Sequence, residues 1–178
     1  KIINPYYENN IMTKASVDMG APIFDPTKIP VFPDTIENDI PIVNFNYGNL
    51  SLKLFCVNTG VPHCIAYMDE PVYDFELEKI GPLVEKYEKF PQGVNFEIVN
   101  KKADKYIVRV WERGSGITLA CGTGATAVAA ISKKLNHFND VLHMNFPGGD
   151  LSCNFNKESS INMEGPIEYI GSGTYNIN

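Results

Sequence analysis

The stretch "LACGTGATA", residues 119–127, decides how this chain folds. Upstream, "YIVRVWERGSG" (106–116) alternates apolar and polar residues like a strand and ends in a glycine turn. Downstream, "TGATAVAAISKKL" (123–135) is predicted helical, and its first ten residues carry no charge. A helix that is apolar all round is a buried helix. Its small side chains let surrounding strands approach closely. The expectation is therefore an α+β fold: a curved, barrel-like antiparallel sheet wrapped around a central apolar helix, entered through a tight turn at Cys121.

The remaining sequence supplies the sheet. Short alternating runs punctuated by glycine, proline and asparagine predict antiparallel strands. A second, solvated helix is expected over 74–88, opening on Asp74 as N-cap and interrupted at Gly81-Pro82. Residues 1–17 read as strand-turn-strand, and "PDTIENDIP" (33–41) reads as a polar loop between two strands. The tail "EGPIEYIGSGTYNIN" (164–178) reads as a last alternating strand with a Gly-Ser-Gly crossover. These signals divide the chain into a segment 1–17, read either as the remnant of a preceding domain or as a connecting strand, a principal domain 18–166 and a tail 167–178 expected to return to another domain.

Composition narrows the function. The 178 residues, 44% hydrophobic, suffice for one principal domain. A net charge of −6, with no basic cluster denser than "NKKADK", argues against a nucleic-acid partner. No apolar run approaches the roughly 20 residues that span a bilayer, so no membrane partner is expected. The four cysteines lack C-x-x-C spacing, which fits reduced thiols in a cytoplasm. Cys56 and Cys153 alternate in phase with apolar neighbours and read as strand core, and Cys64 reads the same way.

Cys121 stands apart because a helix start follows it directly. Unpaired N–H groups and the positive end of the helix dipole stabilise a thiolate, so a depressed pKa is expected. The same amides can hold a carboxylate. A tight turn carrying an inert buried thiol remains an equal reading of the nonapeptide alone. Nucleotide binding fits poorly: no G-K-[ST] follows, and Ala127 stands where a third glycine would. Glu112 and Arg113, adjacent at the strand end, are predicted to point to opposite sides. By charge alone they fit a solvated strand end.

"VWERGSGITLACGTGATAVAA" (110–130) resembles the C-terminal half of the diaminopimelate epimerase family. "VDMGAP" with "KIP", "VNTGVPHCI", "GPLVEKYEKFPQGVNFEIV" and "FPGGDLSC" agree in the same order. The resemblance implies two pseudo-symmetric domains with a cleft between them, each offering one cysteine at a helix start. Only the second cysteine, Cys121, lies here, so the chain is expected to be a C-terminal fragment whose partner is the N-terminal domain of the same protein. A homodimer is a further expectation.

In such a family one cysteine abstracts the α-proton as thiolate while the other protonates the opposite face as thiol. Neither a metal nor a cofactor is called for. The implied substrate is the small molecule LL-diaminopimelate, converted to the meso form, and the chain alone is expected to be inactive. Carried over, Cys121 is the acid/base, with His63 helping to set protonation. The Gly122 and Thr123 amides bind the α-carboxylate, Glu112 the α-ammonium, and Arg113 with Asn95 the distal carboxylate. His63 reads equally as a structural histidine. Val61 replaces the usual loop asparagine, so Asn58 is named as its substitute, and Ile117 stands where many members carry glutamate. Two alternatives stay open: another two-cysteine racemase of the same fold, of proline or hydroxyproline type, and a non-catalytic ligand-binding fragment.

Overall fold

A computed structural model describes residues 1–102 and 105–174. Strands β1 (Ile3–Glu8) and β2 (Ile11–Gly20) form a hairpin. Strands β3 (Thr35–Glu37), β4 (Ile40–Tyr47), β5 (Leu50–Asn58) and β6 (Pro62–Tyr67) then form a meander. Helix α1 (Leu77–Glu85) leads into the hairpin of β7 (Asn95–Lys102) and β8 (Lys105–Glu112), on which the short β9 (Gly116–Thr118) folds back. Helix α2 (Gly122–Lys134) precedes β10 (Val141–Phe146), β11 (Gly149–Phe155) and β12 (Ile161–Pro166).

The strands join in the order β1-β2-β12-β11-β10-β8-β7-β6-β5-β4-β3. This corrects the expected architecture in two respects. The sheet is not closed, and β6–β7 and β8–β10 pair in parallel. The reason lies in the helices, which serve as the crossovers that parallel neighbours require. Both crossovers step the same way along the sheet but leave from strands of opposite sense. Right-handed connections then place the helices on opposite faces.

The two cores follow this division. Ile42, Val57, Ile65, Val99 and Val108 pack with α2, whereas Val43, Cys56, Cys64, Phe96 and Ile98 pack with α1. Alternation along the central strands thus assigns successive core side chains to one helix or the other. Cys56, Cys64 and Cys153 are buried core residues, as the phase of Cys56 and Cys153 predicts. Burial pushes all three thiols up, that of Cys153 to about 12.

Helix α2 forms where the charge-free run predicts a buried helix. It is buried from Gly124 to Ser132, with Cys121 as its N-cap, and it packs on β5, β6, β7, β11 and β12. Helix α1 departs from the expectation. The helix begins at Leu77, with a Glu76 cap that makes no side-chain bond, and it runs unbroken through Pro82. Asp74 instead lies in the preceding turn, its N–H donating to the Pro71 carbonyl. Burial of Leu77, Ile80, Gly81 and Val84 outweighs the one helix bond that proline removes.

"PDTIENDIP" is likewise tighter than a loop: Asn38 and Asp39, at φ 50° and 59°, make the two-residue turn joining β3 to β4. Strand β2 runs without a break across residue 17, and β12 ends at Pro166. Beyond it no further strand forms over 167–174, where the Ile167 N–H reaches the Thr13 carbonyl at 3.1 Å. The last residues of the expected tail, 175–178, lie outside the described residues. Among the described residues no helix is long and apolar enough to cross a membrane.

One glycine fixes how α1 sits on β8. A methyl group on Gly81 would lie 2.5 Å from the Trp111 ring. Gly81→Ala is therefore expected to destabilise the fold by about 1–3 kcal/mol through overpacking. Urea denaturation measures this, and wild-type stability would show that α1 is not clamped on Trp111.

Candidate functional site

The site is built on the α2 face of the sheet, at the start of that helix. Cys121, in extended conformation, caps α2 with its own sulfur: the Gly124 N–H donates to Sγ at 3.3 Å. The Ala125 N–H donates to the Cys121 carbonyl. Gly122 and Thr123 are the first two helical residues, whose N–H groups have no acceptor within a helix. A small anion beside Cys121 would complete them.

Strand β8 delivers Glu112 to the same place. Its carboxylate accepts from the Cys121 thiol at 3.4 Å through Oε2, and from the Thr118 hydroxyl through Oε1. The Thr123 hydroxyl lies 3.4 Å from Sγ. Cys121, Glu112, Gly122 and Thr123 thus form one cluster.

Arg113, one residue on, faces the other way as alternation requires. Its guanidinium donates to the Gln92 carbonyl at 2.7 Å, and its Cδ lies 2.9 Å from where a Gly93 methyl would be. Asn95 links Arg113 to the site: its Oδ1 accepts from the Arg113 N–H and its Nδ2 donates to the Pro62 carbonyl. The structure therefore joins Asn95 and Arg113 to each other, on the flank of the cysteine cluster.

His63 is fully buried, with Nδ1 2.7 Å from Glu97 Oε1. Asn58 stands next to the site with its amide occupied, donating to the Lys28 carbonyl and accepting from the Gly60 N–H. Its neighbour Thr59 makes the contact to the helix start, donating to the Thr123 carbonyl at 2.9 Å.

The expected depression of the Cys121 thiol is overturned. Burial, and next the charge of Glu97, push it up to about 11, and Glu112 adds a smaller push. The Thr123 hydroxyl and the Gly124 N–H act in the opposite direction and do not prevail. Desolvation disfavours the charged thiolate, and the helix start is already shared with carboxylates. Cys121 rests as a thiol.

Two contributors were missed by sequence reasoning. Glu97 lies in the apolar run "VNFEIV", in phase with inward-facing Val99, and a charged residue at a core phase was the available signal. Glu85 is the other: it accepts from Trp111 Nε1 at 2.6 Å and from the Gly114 N–H at 3.1 Å, bracketing Glu112 and Arg113. Nothing in its local sequence marks it. Among the described residues no three His, Cys, Asp or Glu side chains gather as a metal site needs.

A family model described as diaminopimelate epimerase matches residues 55–170, which include every residue of this cluster. The chain belongs to the diaminopimelate epimerase family. A diaminopimelate epimerase from Methanococcus maripaludis (strain C5) is 39% identical over 99% of the chain, and one from Bacillus cereus (ATCC 14579) is 38% identical over 94%. One from Carboxydothermus hydrogenoformans is 39% identical over 98%. The chain spans 64%, 59% and 62% of the length of these relatives, respectively. Among solved structures, a Bacillus anthracis phenazine biosynthesis protein of the PhzF family matches with a TM-score of 0.52 at 12% identity. That match covers 93% of this chain and 62% of the other, and it shows a shared fold.

Alkylation tests the thiol environment. Brief iodoacetamide treatment and peptide mapping are expected to modify Cys121 before Cys56, Cys64 and Cys153, because it is the least buried of the four. A thiol at about 11 is only about 0.1% thiolate at pH 8, so the rate should climb about tenfold per pH unit up to pH 10. Earlier modification of another cysteine, or a rate that levels off below pH 9, contradicts this.

Proposed function

We propose that this chain supplies one half of the active site of a cofactor-independent amino-acid epimerase that converts LL-diaminopimelate to meso-diaminopimelate. The observation that carries the reading is the Cys121 cluster: a thiol at a helix start, hydrogen-bonded to the Glu112 carboxylate, beside two helix amides without intrahelical acceptors. In this reading the α-carboxylate lies on the Gly122 and Thr123 amides, which stabilise it as it takes on enolate character. The α-ammonium pairs with Glu112. Arg113, held at its backbone by Asn95 just past the end of β8, reaches round the strand end with its remaining guanidinium N–H groups to the distal carboxylate.

Inversion needs an acid on one face of the α-carbon and a base on the other. Cys121 fills the first role for one enantiomer, as a thiol that gives its proton to the carbanion and leaves the electron pair on sulfur. The Gly124 N–H and the Thr123 hydroxyl then stabilise the thiolate. For the other enantiomer the same thiolate takes the proton back. The second thiol comes from the preceding domain of the complete protein. Ile117 and Leu119, which flank the cluster, are 37% and 69% exposed, which supports a covering domain here. A cytoplasmic location belongs to the same reading, because the mechanism requires reduced thiols.

Isotope exchange tests the assignment. In the complete protein, Cys121→Ser is expected to stop inversion, because a hydroxyl is a poor base near neutral pH. The isomer whose α-proton faces residue 121 should stop exchanging, while the other still exchanges through the second cysteine. Mass spectrometry in deuterium oxide should show label entering only one of LL- and meso-diaminopimelate. Equal labelling of both, or inversion at a near-normal rate, would remove Cys121 from the chemistry.

A further inference from the structure

We propose that Glu97 is a positioning residue for Cys121: its buried carboxylate fixes His63 and, lying beneath the first turn of α2, keeps Cys121 protonated as the resting proton donor. This role rests on the epimerase reading above, which makes Cys121 the acid on one face of the substrate.

Glu97 and His63 have no exposed side-chain surface, and they meet at 2.7 Å. A carboxylate at that distance accepts from Nδ1–H and fixes the orientation of the ring. Among the described residues neither His63 Nε2 nor Glu97 Oε2 has a hydrogen-bond partner. A pair kept only to stabilise the fold would satisfy these atoms, since a buried polar atom without a partner is costly.

The helix makes room for this carboxylate. Glu97 Oε1 and the Cys121 Cβ both lie within 3.2 Å of the point that a methyl group on Gly124 would occupy. Glycine at 124 therefore lets an anion lie under the end of the helix that ordinarily favours a thiolate. The titratable groups facing the thiol are Glu97 from β7 and Glu112 from β8, with His63 on β6 behind Glu97. Arg113 points to the other side of the sheet and does not offset them. The Cys121 thiol is pushed up by burial and by Glu97 ahead of Glu112.

For catalysis this gives Cys121 a defined resting state. Its S–H bond breaks only when a carbanion takes the proton, forming the new C–H bond and leaving the electron pair on sulfur. The nearby negative charge of Glu97 then favours protonation of that thiolate by a solvent proton once the product has left, which readies the acid for another turnover.

The test is the pH profile of Cys121 alkylation by iodoacetamide in the full chain, with thermal melting as a check of folding. Glu97→Gln keeps the size and an acceptor for His63 but removes the charge. It is expected to move the profile down by about one pH unit, read as about tenfold faster modification of Cys121 at pH 8 with Cys153 unchanged. Glu97→Asp, which restores the charge, should return the profile toward wild type. Should the Gln variant fail to fold, Gly124→Ala serves in its place: the added methyl displaces the carboxylate from the helix start and should lower the profile in the same direction. An unchanged profile, or acceleration of Cys153 equal to that of Cys121, overturns the proposal. Because the readout is a thiol titration and not turnover, that failure would leave the epimerase reading to stand or fall on isotope exchange.

Discussion

Helix α2 is buried along nine residues, Gly124 to Ser132, and a helix end cannot be buried with its first N–H groups unmatched. Everything at the site follows from how those groups are satisfied. Gly124 donates to the Cys121 sulfur and Ala125 to the Cys121 carbonyl, so one residue caps the helix twice. Gly122 and Thr123 are left as donors at the edge of the sheet, where β8 brings a carboxylate. The small residues of α2 serve the same end: they let β5, β6 and β7 approach closely enough for Glu97, with His63 bonded to it, to reach the helix start.

The crossovers decide which side chains can meet. With α1 and α2 on opposite faces, neighbouring residues on β8 belong to different environments. Glu112 faces the thiol, whereas Trp111 and Arg113 face α1 and the loop before β7. Glu85 secures this arrangement from α1 by accepting from Trp111 and Gly114, on either side of the Glu112-Arg113 pair. Function thus draws on both layers. In the proposed reading the α2 face holds the acid, Cys121, and the α1 face holds Arg113 beside it.

Much of this was legible in the sequence because it depends on local rules. The charge-free run after Cys121 predicted a buried helix, and alternation placed Cys56 and Cys153 in the core and turned Glu112 away from Arg113. What escaped depends on contacts between distant segments. No local signal says that β6 and β7 pair in parallel, which sets His63 opposite Asn95 and brings Glu97 within reach. The Cys121 thiol was misjudged for the same reason. Its helix start is visible in the sequence, while the burial and the Glu97 charge that outweigh it come from tertiary packing. Helix α1 passes through Pro82 because the packing of Gly81 on Trp111 and the burial of Ile80 and Val84 hold it, and no propensity scale includes those contacts.

The central claim is that the start of α2 is where the reacting carbon is held. The most direct measurement is a crystal structure of the complete protein with diaminopimelate bound. The α-carboxylate is predicted to lie on the Gly122 and Thr123 amides, with Cys121 Sγ facing the α-carbon on the side opposite the second cysteine. A ligand bound away from the helix start, such as in the cleft lined by Lys14, Lys105 and His143, would contradict the account.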